Sequence, residues 1–115
     1  MLIRSQDKRM IVNFDNICTV SAFPEKDSED IYVEDGTGSL MVGRYSTKEK
    51  SMKVLDMIQE AYADAELIPM TVPNIGKMFA EAPPSKENEL LAETIEKALM
   101  NKMVFQMPED SEVEV

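Results

Sequence analysis

The sequence lacks histidine entirely, and its 115 residues include a single cysteine. Histidine is the commonest general base near neutral pH and the commonest metal ligand, so its absence excludes Ser-His-Asp and Cys-His catalytic groups. Cys18 alone cannot form an internal disulfide or a thiolate zinc site. A single cysteine fits a reducing compartment, and the expected location is cytoplasmic.

Tryptophan is also absent, which removes the best platform for stacking single-stranded nucleic acid. The sequence has 12 basic and 22 acidic residues, and its formal net charge of −10 repels phosphate backbones. Direct nucleic-acid binding is therefore not expected. No segment approaches the roughly 18 consecutive apolar residues of a membrane span, so no membrane association is expected either.

The chain has the length of one ordinary domain. We predict a single α+β domain over residues 1–108, followed by an acidic tail at 109–115 that frays. The first 45 residues carry five short runs rich in β-branched and aromatic residues, separated by turn residues. These predicted strands are residues 2–4, 10–14, 17–23, 31–34 and 40–45. Their short connections, including the hairpin turn at Asp35-Gly36, indicate an antiparallel meander of four to five strands.

A helix is predicted over residues 47–66, because apolar side chains recur there at helical spacing. Ser46 and Glu49 have the spacing of a capping box, in which each side chain accepts from the other residue's amide. Pro69 is expected to end this helix. The stripe that should face the core comprises Val54, Leu55, Ile58, Ala61, Tyr62 and Ala65.

Residues 67–84 contain four prolines and one glycine, which favours a long irregular connection. Ser85 then caps a second predicted helix that runs to about residue 101. Its predicted buried stripe is Leu91, Ile95, Ala98 and Leu99. Residues 102–107 indicate a short final strand that adds to the sheet.

The predicted fold is thus α+β, with the capped amphipathic helix packed across the N-terminal meander and the second helix and C-terminal strand completing the layer. A meander closed by a helix is also the outline of a pleckstrin-homology-like half barrel, which is the alternative. That likeness of outline implies no function.

Three segments of the chain carry a family resemblance. The opening MLIRSQDK, the segment GRYSTKEK at 43–50 and the closing VFQMPED resemble small uncharacterised proteins of phages, prophages and their low-GC Gram-positive hosts. The resemblance covers residues 1–66 and 103–110, whereas residues 67–101 match no pattern of that family. It implies a phage-linked accessory protein, and it supplies no catalytic residue.

The main basic cluster lies at the start of the first predicted helix. Free amides, the positive end of the helix dipole and several cations together suit a phosphate or carboxylate. The alternative is a solvated surface on which Glu49 and Lys53 pair at i,i+4. The candidate anion-binding residues are Arg44, Lys48, Lys50 and Lys53.

An acidic cluster surrounds one hairpin of the predicted meander. Its spacing matches no EF-hand loop, so no metal site and no cofactor are predicted. The same carboxylates would serve as a docking face for a basic partner, or simply as a solvated loop that protects a sheet edge. The candidate docking residues are Glu25, Asp27, Glu29 and Asp30.

Cys18 lies in a predicted strand among small apolar residues, which predicts a buried and inert thiol. The ten methionines indicate either an adaptable contact surface or a core in which methionine replaces leucine. Taken together, the residues favour a non-enzymatic acidic interaction protein that binds a protein partner or assembles with itself. A sharper version is a protein mimic of DNA, and the alternative is a small-anion or nucleotide-binding module.

Overall fold

The computed structural model describes residues 1–81, 85–101 and 103–115, with side chains described to residue 67, from 85 to 98 and from 103 onward. These residues form two helices and six strands, so the predicted α+β class is confirmed. In chain order the elements are β1 (Leu2–Arg4), β2 (Ile11–Asn13), β3 (Thr19–Pro24), β4 (Glu29–Glu34), β5 (Ser39–Tyr45), α1 (Lys48–Glu81), α2 (Lys86–Asn101) and β6 (Val104–Gln106).

The strands are divided between two three-stranded sheets, ordered β2-β1-β6 and β3-β4-β5. The prediction of one continuous meander of four to five strands is wrong, because a 3-10 turn over Phe14–Asn16 separates β2 from β3. β3, β4 and β5 do form an antiparallel meander, and β6 pairs parallel to β1 as a returning C-terminal strand. The described strands close no barrel, so the half-barrel alternative gains no support.

The turn between β4 and β5 is built by one carboxylate, as the Asp-Gly pair predicted. Asp35 Oδ1 accepts from the Thr37 amide at 2.9 Å and from the Thr37 hydroxyl at 2.7 Å. These hydrogen bonds lower the pKa of Asp35. Gly36 adopts a φ of 94°, which only glycine takes without strain.

α1 begins one residue later than the capping box predicted. Thr47, and not Ser46, caps the helix: its hydroxyl accepts from the Lys50 amide at 3.2 Å. The Ser46 amide donates instead to Asp110 Oδ1 at 2.7 Å. The predicted pairing of Ser46 with Glu49 is therefore wrong, because a carboxylate from the end of the chain takes the place of the glutamate.

α1 continues to Glu81, so the predicted irregular connection is wrong for residues 67–81. Proline in a helix interior removes one hydrogen bond and costs about 3 kcal/mol, which disfavours a helix without forbidding it. Two prolines, Pro69 and Pro73, lie within the helical span. The remainder of the predicted connection, residues 82–84, falls outside the described residues.

α2 is capped as predicted, since the Ser85 hydroxyl accepts from the Asn88 amide at 3.1 Å. Its predicted buried stripe is wrong at two positions, because Leu91 and Ala98 are exposed. Ile95 is half-buried, and the side chain of Leu99 lies outside the described residues. α2 contacts α1 but contributes no described side chain to the core.

The core lies between the two sheets and the first half of α1. Val54 and Ile58 are the buried members of the predicted helical stripe, whereas Tyr62 is partly exposed. Among the described side chains, the buried apolar ones are Ile3, Ile31, Val33, Val42, Tyr45, Val54, Ile58, Met107 and Val113.

The C-terminal segment packs into this core, so the prediction that residues 109–115 fray is wrong. Met107 and Val113 are both buried, and Asp110–Glu112 forms a 3-10 turn. The buried Tyr45 hydroxyl donates to the Pro108 carbonyl at 2.8 Å. Burial, followed by the acidic residues of this segment, raises the pKa of Tyr45. The sequence of this segment shows only that it is acidic. Its contribution to the core becomes apparent only from the tertiary packing.

The molecule is elongated, measuring 61 × 31 × 22 Å. Its radius of gyration of 17.6 Å exceeds the roughly 13 Å of a compact domain of this length. A helix of 34 residues spans about 50 Å, so α1 sets the long dimension. Among the described residues, neither helix combines the length and apolar character needed to cross a bilayer.

Candidate interaction surface

One face of the β3-β4-β5 sheet points away from the core, and we call it the outer face. Strand alternation sends Ile31 and Val33 inward, so Tyr32 and Glu34 lie on the outer face of β4. Residues directly opposite each other share a face, and the register pairs Ser21 with Tyr32. The residues of the outer face are therefore Thr19, Ser21, Phe23, Asp30, Tyr32, Glu34, Ser39, Met41 and Arg44.

Two aromatic rings occupy the centre of the outer face. The Phe23 side chain is 59% exposed, although phenylalanine is a residue that folding normally buries. The centroids of the Phe23 and Tyr32 rings lie 6.4 Å apart with the planes at 88°, an edge-to-face pair. Met41, directly opposite Tyr32 on β5, is also exposed. The outer face thus presents apolar surface to solvent.

An open cleft of about 250 Å³ runs beside these rings. It is lined by Ser21, Phe23, Glu25, Tyr32, Glu34 and Ser39. This volume is below the roughly 300–1,000 Å³ typical of small-molecule and cofactor sites. The cleft has the size to receive a single side chain of a partner.

Two carboxylates, Glu25 and Glu34, line the cleft, and both are exposed. Each accepts a hydrogen bond from a hydroxyl: Glu25 from Tyr32 at 3.2 Å and Glu34 from Thr19 at 3.4 Å. Within the described residues no ion pair involves either of them. Partial burial, and then the Glu25 carboxylate, raises the pKa of Tyr32, so its hydroxyl stays protonated and donates.

Asp30 and Arg44 form a bidentate ion pair at the edge of the outer face. Arg44 Nε lies 3.1 Å from Asp30 Oδ1, and Arg44 Nη2 lies 3.0 Å from Asp30 Oδ2. The Ser28 hydroxyl also donates to Asp30 at 2.8 Å. The Arg44 hydrogen bonds hold the pKa of Asp30 below its usual value despite burial. Asp30 is fully buried and therefore belongs to the structure of the β4–β5 ladder.

The four predicted docking carboxylates are consequently not equivalent. Glu25 and Asp27 are exposed as expected, and Glu29 is half-buried. Asp30 is wrong as an exposed docking residue, because it is buried against Arg44. The structure adds Glu34, which is not among the four candidate docking residues, to the carboxylates of the outer-face cleft.

The predicted anion site at the start of α1 is largely taken up by carboxylates of the chain itself. Arg44 pairs with Asp30, and Lys50 Nζ lies 3.4 Å from Asp110 Oδ2 and 2.8 Å from the Asp110 carbonyl. The Ser46 amide and Lys50 together lower the pKa of Asp110. Lys48 and Lys53 are exposed. Two of the four candidate residues are therefore paired with carboxylates of the chain, and anion binding by the cluster stays a prediction.

Cys18 is exposed, so the predicted buried thiol is wrong. The reason is that β3 starts at Thr19, which leaves Cys18 in the bend before the strand. Phe23 and Tyr32 were not singled out from the sequence. The available indication was strand alternation, which places Phe23 on the more polar face, opposite Val20 and Ala22.

Comparison with family models, with curated proteins and with solved structures finds no match to this chain. The resemblance to phage-associated proteins therefore stays a prediction. Function has to be inferred from the outer face and the charges around it.

Proposed function

We propose that this chain is a non-catalytic interaction protein that binds a basic protein partner through the outer face of the β3-β4-β5 sheet. The observation that carries the proposal is the exposed Phe23 beside Tyr32, bordered by the carboxylates of Glu25 and Glu34, which form no ion pair among the described residues. Aromatic side chains surrounded by a polar rim are the usual composition of protein interfaces.

Electrostatics supports a basic partner. The chain carries a net charge of −10, and Glu25 and Glu34 line the cleft beside the aromatic pair. A partner of opposite charge would be steered toward this surface, and its association rate would fall as ionic strength rises. The alternative function, binding of small anions by the basic cluster, is less favoured because Arg44 and Lys50 are already paired with Asp30 and Asp110.

The proposal is tested by quantitative affinity capture with three forms of the full chain. The lysate comes from a low-GC Gram-positive bacterium, which is the source that the sequence resemblance implies. The outer-face variant is Phe23→Ser with Glu25→Gln. The matched control is Leu90→Ser with Glu93→Gln, which removes an equally exposed apolar residue and one carboxylate from α2.

We expect at least one basic protein to be retained by the wild type and the control, lost from the outer-face variant, and released as salt rises. Circular dichroism and thermal melting confirm that all three forms are folded. Equal retention by all three forms would contradict the proposal. Sedimentation that shows a dimer disrupted only by the outer-face substitutions would replace the partner with a second copy of the chain.

A further inference from the structure

The lining of the outer-face cleft specifies which side chain of a partner it receives. We infer that the cleft binds an arginine guanidinium, held between the carboxylates of Glu25 and Glu34 and stacked on the exposed aromatic pair. This inference rests on the proposed function and names the residue through which the partner docks.

The carboxylates select a cation. Glu25 and Glu34 form no ion pair in the described part of the chain. The charge of Arg44 also interacts with Glu25, but the Arg44 guanidinium is paired with Asp30. A guanidinium has five N–H donors in a planar fork, so one group can donate to carboxylates and hydroxyls on several sides. The hydroxyls of Ser21 and Ser39, which also line the cleft, are further acceptors. The lining is therefore rich in acceptors.

The aromatic pair favours arginine over lysine. Because the planes of Phe23 and Tyr32 are nearly perpendicular, their contact covers at most one face of one ring, and the other ring faces are not stacked on each other. A planar and weakly hydrated guanidinium stacks on such a face, whereas an ammonium group is compact and strongly hydrated.

The test uses three acetylated and amidated pentapeptides that are identical except at the central residue. That residue is arginine, lysine or citrulline, the last being the neutral analogue of arginine. Each is titrated into the isotopically labelled full-length protein while backbone amide NMR signals are followed. We expect the arginine peptide to shift the amides of residues 21–23, 25 and 32–34. The lysine peptide should bind at least threefold more weakly, and the citrulline peptide should cause no saturable shift.

The double variant Glu25→Gln with Glu34→Gln should lose the arginine response, as should Phe23→Ser. The charge-matched control, Glu60→Gln with Glu93→Gln, changes two exposed carboxylates on the helices and should retain it. Equal affinity for lysine and arginine, or an arginine response that survives Phe23→Ser, would overturn the inference.

The two proposals fail separately. If no peptide shifts these amides while partner retention still depends on Phe23 and Glu25, the arginine inference is wrong and the proposed function stands. If the arginine peptide binds the cleft but retention is the same for all three forms of the protein, the proposed function is wrong and the cleft is a local cation site only.

Discussion

Gly43 is the residue at which the packing of the core leaves the least room. It lies on β5 beside an irregularity in the β4–β5 register, where Ile31 pairs with Gly43 but Tyr32 pairs with Met41. A Cβ at this position would lie 3.0 Å from Met107 Cε and 3.0 Å from Tyr45 Cε2. Tyr45 and Met107 are both fully buried, so their side chains can move away from such a Cβ only by displacing other core residues.

We therefore expect Gly43→Ala to destabilise the protein by about 1–3 kcal/mol, the usual cost of overpacking. The matched control is Gly38→Ala, because a Cβ at Gly38 meets nothing within 4 Å. Its effect should stay within about 0.5 kcal/mol. Urea unfolding of both variants measures the difference, and equal midpoints would show that Tyr45 and Met107 do not constrain this position.

At the scale of the element, the start of α1 shows how a distant residue decides a local choice. Ser46 and Thr47 are both good capping residues, and sequence spacing favoured Ser46 because Glu49 follows it by three. In the structure the Ser46 amide is taken by Asp110, 64 positions away, and Thr47 becomes the cap. Local rules predicted a capped helix correctly, but choosing the capping residue required a tertiary contact.

Asp110 stabilises α1 as an anion at the helix N-terminus, beside Lys50. We expect Asp110→Asn to cost roughly 0.5–1 kcal/mol at neutral pH, since the charge is lost but an oxygen acceptor remains for Ser46. The control Asp56→Asn removes the same charge from an exposed site on α1 and should change stability by less than about 0.5 kcal/mol.

The sign of the pH dependence follows from the lowered pKa of Asp110. A carboxyl whose pKa is lower in the folded state stabilises the fold above its unfolded value and ceases to do so as pH falls through the folded value. The difference in the free energy of unfolding between wild type and Asp110→Asn should therefore have its full value above pH 3.8 and become smaller below it. A difference that grows on acidification would contradict this role for Asp110.

The C-terminal segment is a second element whose role depends on packing. Val113 is 5% exposed and lies in the core, whereas Val115 is 79% exposed. Val113→Ala should destabilise by about 2 kcal/mol, from the lost transfer energy of two methyl groups and a small residual cavity. Val115→Ala should change stability by less than about 0.5 kcal/mol, and thermal or urea unfolding compares the two. Equal effects would mean that the segment frays in solution.

Across the whole molecule, the sequence predicted the positions of the strands and helices better than it predicted how they are arranged into sheets. Strand composition located all six strands within a few residues, and helical spacing located the buried Val54 and Ile58. It did not predict that Phe14–Asn16 would split the strands into two sheets, because either arrangement satisfies the same alternation. Similarly, the sequence identified the acidic residues near the outer face. It did not distinguish Asp30, the buried carboxylate that pairs with Arg44, from the exposed carboxylates beside it.

The distribution of the core shows which part of the molecule carries its stability. Every described side chain of the core lies outside residues 67–101. The ends of that segment are also linked through a chain of contacts. The Tyr62 ring centroid lies 5.1 Å from that of Phe14, the Phe14 amide donates to the Met1 carbonyl at 3.0 Å, and the Leu2 amide donates to the Met103 carbonyl at 2.7 Å. A short linker can therefore join the first half of α1 to β6.

We expect a protein in which a Gly/Ser linker replaces residues 67–101 to fold cooperatively with both sheets intact. Linkers of about 8 and about 14 residues span roughly 15 and 20 Å on average. Comparing the two linkers shows whether a loss of folding arises because the linker is too short or because the helical segment is missing. Urea unfolding should remain a single transition, with amide-exchange protection retained at Ile3, Ile31 and Val33, which are buried on the central strands β1 and β4. Loss of protection at Ile3 with both linkers would show that the helical segment is needed to hold β6 against β1. Retained protection would show that residues 67–101 are an addition to a self-sufficient core, and that the outer face forms without them.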